Sequence, residues 1–391
     1  MIHLFINALA ASAGGGLTYI RNVLPRLALR NDVCATVPLS TSLRDEFTSS
    51  SRLNIIPVDV IAGTARRFWY EQTELPAAIR NSRANVLLSA GNFALLRSPV
   101  PQILLSGNAL YTSRHFERDL RDRGEYALWM DNTIKGTFAR WSVSVADCTV
   151  APTEAFAADL RRWTGRNVQA IHHGFDGEIF FGSSEPLAKE VQAKLDAAEG
   201  SLKLLFVSHY NYYRNFETLF HALAILKKNI YPRSVRLFLT CKLASGENPG
   251  DYRAESAAAL VRELRLCKEV IELGAVPYRR LHHIYAASDF YVTPAYVETF
   301  AHPLVEAMAS GVPVIAADLA VHREICGKAA MYFSPFSAEE LAKTVVRATE
   351  ARGQAAHMRE RGLLRSQDFS WDGHIEAVLQ LARRLARDKP H

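Results

Sequence analysis

Apolar positions fall into two successive series of short, almost continuous runs. "MIHLFINA", "NVLLSA", "QILLSGNA", "CTVAPT" and "VQAIHHG" make up the first, with a stretch of helical spacing from about Thr18 to Leu29 between its early members. "KLLFVSHY", "VRLFLTC", "VIELGAV", "FYVTPA" and "PVIAAD" make up the second, separated by helical stretches such as "NFETLFHALAILKK". Apolar runs of this length bounded by turn residues read as buried strands. Their alternation with helices predicts parallel α/β structure and argues against a sandwich.

Gly, Asp, Ser and Pro gather in "HHGFDGEIFFGSSEP" after the last strand of the first series, so a domain boundary is expected near residue 180. Residues 1–180 and 181–371 then form two doubly wound domains facing a cleft, with ligands at the carboxyl ends of their strands. The closing "FSWDGHIEAVLQLARRLARD" has apolar residues at helical spacing. A helix at about 372–391 is expected to pack back onto the first domain.

Composition narrows the class. A chain of 391 residues is too long for a single ordinary core, and 49% apolar with 22% charged residues is normal for a folded globular protein. The net charge of +6 leans on arginine, whose fork suits carboxylates and phosphates. No basic run with interleaved aromatics suggests nucleic acid as a partner. Five scattered cysteines without a Cys-x-x-Cys suggest neither a disulfide framework nor a zinc site, and a reduced, cytoplasmic protein is expected. The N-terminal run reads as a first strand, since no basic leader precedes it. No apolar run approaches the roughly 20 residues of a membrane span.

Three loops carry candidate chemistry. "ASAGGGLTYI" sets Gly15 and Gly16 between the first strand and the first helix, where bare amides can meet an anion; Tyr19 breaks a Gly-x-Gly-x-x-Gly fingerprint. "FVSHYNYYRNFETL" brings His209 and Arg214 to a strand end ahead of a helix, an arrangement suited to a diphosphate. In "VETFAHPLVEAMASGVPVIAA", Pro303 suits a first helical turn and Gly311 a helix stop. Glu306 is therefore expected in a short helix and Glu298 in the loop before it. No Asp-x-Asp occurs, and the adjacent pairs His172-His173 and His282-His283 are expected to diverge, so no metal is expected.

Together these residues resemble the retaining nucleotide-sugar glycosyltransferases of family 4, which have the two-domain GT-B fold of Rossmann-like units. The resemblance is strongest over "ETFAHPLVEAMASGVPVIAADLAVHREICGKAAMYF", similar to the family's Glu-x7-Glu region, and continues in "SHYNYYRNFETL", "VAPTEAFAADL", "IHHGFDGEIF" and the terminal "FSW". It implies that the N-terminal domain lies on the acceptor side and the C-terminal domain binds the nucleotide sugar. It assigns Glu306 to the ribose, Glu298 to the donor sugar, and the amides of Thr299, Phe300 and Ala301 to the sugar and diphosphate. Arg214 would neutralise the leaving diphosphate, Val276 would lie beside the base, and Gly15 and Gly16 would approach the donor. Four positions depart from the family pattern. His209 stands for an arginine, which is expected to make charge stabilisation weaker or pH-dependent. Thr299 and Ala301 stand for glycines. Asn108 stands where a histidine often follows the "QILLS" strand, so it joins Glu298 and Arg214 as a candidate catalytic group.

The implied reaction is transfer of a hexose-type sugar with retention, without metal or cofactor, to a glycan or polyprenyl-diphosphate-linked acceptor in surface polysaccharide synthesis. Mannosyl transfer into an O-antigen is among the expected activities. A sugar-nucleotide epimerase of the same fold and a non-catalytic nucleotide-sugar-binding partner are the competing readings. "LYTSRHFERDLRDRGEYALWM" mixes arginines and aromatics in a way that suits peripheral contact with the inner face of a membrane, and equally an ordinary amphipathic surface helix.

Overall fold

In the computed structural model, residues 1–11, 14–59, 63–250, 252–351 and 353–388 are described. They fall into two compact units. The first comprises residues 1–113, 129–174 and the C-terminal residues from 370; the second comprises 114–128 and 175–369.

The first unit holds seven strands: β1 (Ile2–Asn7), β2 (Val33–Ser40), β3 (Leu53–Val58), β4 (Val86–Ser89), β5 (Gln102–Leu105), β6 (Cys148–Ala151) and β7 (Val168–Ala170). They pair in the order β3-β2-β1-β4-β5-β6-β7, every pair parallel. The inner strands β1 and β4 are buried on both faces, which is why they read as unbroken apolar runs. The C-terminal helix Trp371–Asp388 lays Trp371, Ile375, Val378, Leu379 and Ala382 into this unit's core beside Leu4, Ile20 and Leu24. His374 pins it. Its Nδ1–H donates to the His172 carbonyl at 2.8 Å, which leaves Nε2 to accept from the Tyr19 hydroxyl at 3.1 Å.

The second unit holds β8 (Leu202–Phe206), β9 (Val235–Leu239), β10 (Val270–Glu272), β11 (Phe290–Thr293), β12 (Val314–Ala317) and β13 (Ala330–Phe333). Their order is β10-β9-β8-β11-β12-β13, again all parallel. The winding reverses between β8 and β11, the position at which such sheets open a crevice for ligands.

The division by packing differs from the one expected near residue 180. Phe175 already belongs to the second unit, its amide bonded to the Phe369 carbonyl at 3.1 Å. Residues 114–128 also belong to the second unit, although they lie between β5 and β6 in sequence. Ionic and hydroxyl contacts hold them there: Arg123 with Glu217 at 2.8 Å, Tyr296 with Asp119 at 2.5 Å and Tyr212 with Glu125 at 2.5 Å. Among the described residues, no helix is long and apolar enough to cross a membrane.

Candidate functional site

The loops after β8 and β11 flank the winding reversal of the second unit, and local sequence shapes both. After β8, Asn211 caps a turn at Tyr212–Arg214, its side chain accepting from the Arg214 amide at 3.1 Å. Asn215 then takes a left-handed conformation (φ 56°), which Asn tolerates better than most residues, before the helix Phe216–Asn229 begins. Its side-chain amide donates to the Pro294 carbonyl at 3.2 Å, and the Tyr296 amide donates to the Tyr213 carbonyl at 3.0 Å. The two loops are therefore tied to each other.

That tie brings Arg214 and Glu298 together as an ion pair, 84 positions apart in sequence. The Arg214 guanidinium also lies over the Tyr213 ring at 5.3 Å. Its Nε is buried with no protein acceptor among the described residues, so the group retains a donor for a further anion. His209 sits beside it. Partial desolvation, and then the Arg214 charge, hold the imidazole below its usual range. Both effects favour its neutral form.

Ala301 opens the helix His302–Ala309 in a left-handed conformation (φ 62°), with no side-chain cap for the first-turn amides. Pro303 has no N–H and the Leu304 amide already donates to the Ala301 carbonyl at 2.9 Å, so this helix start offers an anion mainly its positive potential. Phe300 is buried against Phe369 and lies 4.8 Å from the His302 ring, anchoring the turn beside Thr299. Alanine at 301 carries backbone strain, since a Cβ in this left-handed conformation costs about 1–2 kcal/mol.

Glu306 follows in the same helix, fully buried, and accepts from the Tyr285 hydroxyl at 2.9 Å. Burial raises its carboxyl to about 7, only partly countered by that hydrogen bond. Tyr278 and Phe180 line the same region, their rings 5.2 Å apart, and burial followed by the Glu306 charge keeps Tyr278 protonated. Asp176 caps the short helix Gly177–Phe181 that carries Phe180. Val276 lies in the loop after β10.

The remaining candidates belong to the first unit. Gly15 is exposed near the start of the helix Gly14–Ala28, and a Cβ there would meet open space; Gly16 packs against Ala11, where a Cβ would lie 3.4 Å from its Cα. Ser12 and Ala13 of the same motif lie outside the described residues. Asn108 uses its side-chain oxygen to cap the turn Ala109–Tyr111, accepting from the Leu110 amide at 3.0 Å.

Sequence reasoning missed Tyr285, Tyr278 and His322. His322 is buried beyond β12, donates from Nδ1 to the Ala317 carbonyl at 2.7 Å, and has no protein partner for Nε2 among the described residues. Burial lowers it to about 4. The expected divergence of His282 and His283 is corrected: their rings lie 4.0 Å apart, His283 being held by the Glu185 carbonyl at 3.2 Å.

Residues 188–365 match the family model of glycosyl transferases group 1. The chain is 30% identical over 100 residues to O-antigen chain mannosyltransferase B of Escherichia coli, 26% of each protein. The match thus spans about a quarter of that relative and about half of a D-inositol 3-phosphate glycosyltransferase of Corynebacterium aurimucosum. Among solved structures, sucrose-phosphate synthase of Thermosynechococcus elongatus superposes with a TM-score of 0.77 over 100% of both chains at 17% identity. Anabaena HepE in complex with UDP-glucose superposes with a TM-score of 0.72 over 98% of this chain and 100% of that one at 16% identity. The fold is therefore GT-B, two Rossmann-like parallel-sheet units, and the second of them carries the group 1 glycosyltransferase match.

Proposed function

We propose that the chain is a retaining glycosyltransferase that moves a hexose-type sugar from a nucleotide donor to a glycan or polyprenyl-diphosphate-linked acceptor in surface-polysaccharide synthesis. The observation that carries this reading is the meeting of Arg214, Glu298 and an uncapped helix start at the winding reversal of the second unit. Within the same helix, Glu306 is a buried carboxylate held by Tyr285. The group 1 match over residues 188–365, the UDP-glucose complex of HepE and the O-antigen mannosyltransferase among the relatives support the donor class and the surface-glycan role.

In this reading the donor diphosphate lies against Arg214 and the amides at Thr299–Ala301, while Glu298 accepts from sugar hydroxyls and Glu306 from the ribose. Val276 borders the base. Before donor binds, Glu298 neutralises Arg214; the unused Arg214 Nε supplies a further contact when the diphosphate arrives. The acceptor hydroxyl attacks on the face the diphosphate leaves, and a departing phosphate oxygen takes its proton. No side-chain nucleophile and no metal enters the scheme; preorganised donors stabilise the developing charge. Gly15 and Gly16 are assigned to the donor and Asn108 to catalysis, and the protein works in the cytoplasm at the inner face of the membrane.

Purified protein given a panel of nucleotide sugars should release nucleoside diphosphate with one of them in the presence of acceptor, with the donor's anomeric configuration kept in the product by NMR. Silence across the panel overturns the reading. Conversion of donor without acceptor would instead identify an epimerase.

A further inference from the structure

The helix Tyr126–Val145 is folded inside out. Its buried positions are the small residues Gly136, Ala139, Ser142 and Val143, and a Cβ on Gly136 would lie 3.6 Å from the Tyr111 side chain. Its large apolar residues point the other way. Met130, Ile134, Phe138 and Trp141 are 56%, 54%, 40% and 49% exposed. At about 100° per residue these four share an arc of roughly 80° on the face opposite the buried one. Trp69, 68% exposed, stands on the neighbouring helix Thr64–Thr73, which meets this face through the contact of Phe68 with Phe138 at 5.4 Å.

Single exposed hydrophobes need no explanation, but a contiguous run does. The charges beside it identify the occupant. Exposed Arg140 stands beyond one edge of the arc; at the other the nearest charge is Asp131, neutralised by Lys135 at 2.7 Å; Arg66 is exposed one turn from Trp69, so the uncompensated charges beside the face are cations. An apolar face with two tryptophans and flanking cations is the pattern of a helix lying in the plane of an anionic bilayer. Its apolar residues enter the acyl boundary and its cations meet the phosphates.

We propose that Met130, Ile134, Phe138, Trp141 and Trp69 form a membrane-docking face that seats the protein on anionic phospholipid. This inference deepens the proposed function, resting on its lipid-linked acceptor only for the purpose of docking. Vesicle binding needs neither donor nor acceptor, so its failure leaves the transferase reading standing, and silence on the donor panel leaves the docking face standing.

The test is flotation of the full chain with vesicles of phosphatidylglycerol and phosphatidylethanolamine, against vesicles of phosphatidylcholine alone. Binding to the anionic vesicles is expected to weaken as salt rises. Ile134→Glu together with Trp141→Glu, both on the exposed face and checked for unchanged circular dichroism, should reduce it at least tenfold; Arg140→Ala should reduce it less. In the wild-type protein, brominated lipid should quench tryptophan fluorescence, a readout that needs no variant. Absence of anionic-vesicle binding overturns the proposal, as does undiminished binding by the double variant. Self-association in ultracentrifugation that the double variant abolishes would mean that a second copy covers the face, and also overturns it.

Discussion

Replacing Glu306 by Gln tests whether the proposed ribose-binding carboxylate is held at the expense of stability. The substitution keeps the size of the side chain and an oxygen to accept from Tyr285, 2.9 Å away, but removes the charge. Burial raises this carboxyl from 4.5 to about 7, so the folded protein binds the proton more tightly than the unfolded chain does. The stability gained from the proton is present in full below about pH 4.5 and is lost as pH rises through 7. At about 1.4 kcal/mol per pH unit, the interval amounts to about 3 kcal/mol. Glu306→Gln should therefore be about 3 kcal/mol more stable than wild type at pH 8 and only about 1 kcal/mol more stable at pH 5. Urea unfolding followed by far-ultraviolet circular dichroism at the two pH values measures this. Nucleoside diphosphate affinity should fall about 10- to 100-fold, the loss of a hydrogen bond to a charged group. An equal effect on stability at both pH values, or a variant less stable than wild type at pH 8, refutes the argument.

Three further outcomes are expected. Arg214→Ala should lower kcat/KM about 100- to 1000-fold and Arg214→Lys less, because lysine restores charge without the fork; steady-state kinetics with the donor found on the panel checks both. Tyr212→Phe removes a hydroxyl that donates to Glu125 at 2.5 Å and accepts from the Arg253 amide at 3.1 Å, and should destabilise the second unit by about 1–3 kcal/mol in a thermal unfolding scan. Gly174→Ala would drive a methyl into the backbone and ring of Trp371 and should cost about 3 kcal/mol or more, read as a fall in Tm with release of the C-terminal helix to proteolysis.

The strands were legible because parallel strands covered on both faces become continuous apolar runs: "KLLFVSHY" takes in all of β8 but its first residue and "FYVTPA" contains β11. Glu306 in a short helix and Glu298 in the loop before it followed from local grammar, with Pro303 in the first turn and Gly311, left-handed at φ 67°, beyond the end. What stayed hidden was pairing across distance. Tyr285 with Glu306, Asn215 with Pro294 and Tyr296 with Asp119 are 21, 79 and 177 positions apart, and such pairs leave no periodic trace. The arginine and aromatic stretch near residues 110–130 fits both a membrane-facing and an ordinary surface helix in sequence, again because pairing across distance leaves no trace. Arg121 and Arg123 pair with Glu117, Asp119 and Glu217, while the exposed apolar face lies further along, where helical spacing reads the same whether it points inward or outward.

The excursion of residues 114–128 into the second unit limits how this chain can be cut or recombined. A fragment spanning 175–369 would leave behind Asp119, Arg123 and Glu125, and with them the partners of Tyr296, Glu217 and Tyr212. Exchange of the second unit between relatives at a single junction would carry the same mismatch into every chimera, because the segment that completes that unit travels with the other parent. A working hybrid must therefore inherit both pieces together, so a segment encoded in the first half of the chain evolves under the constraints of the second.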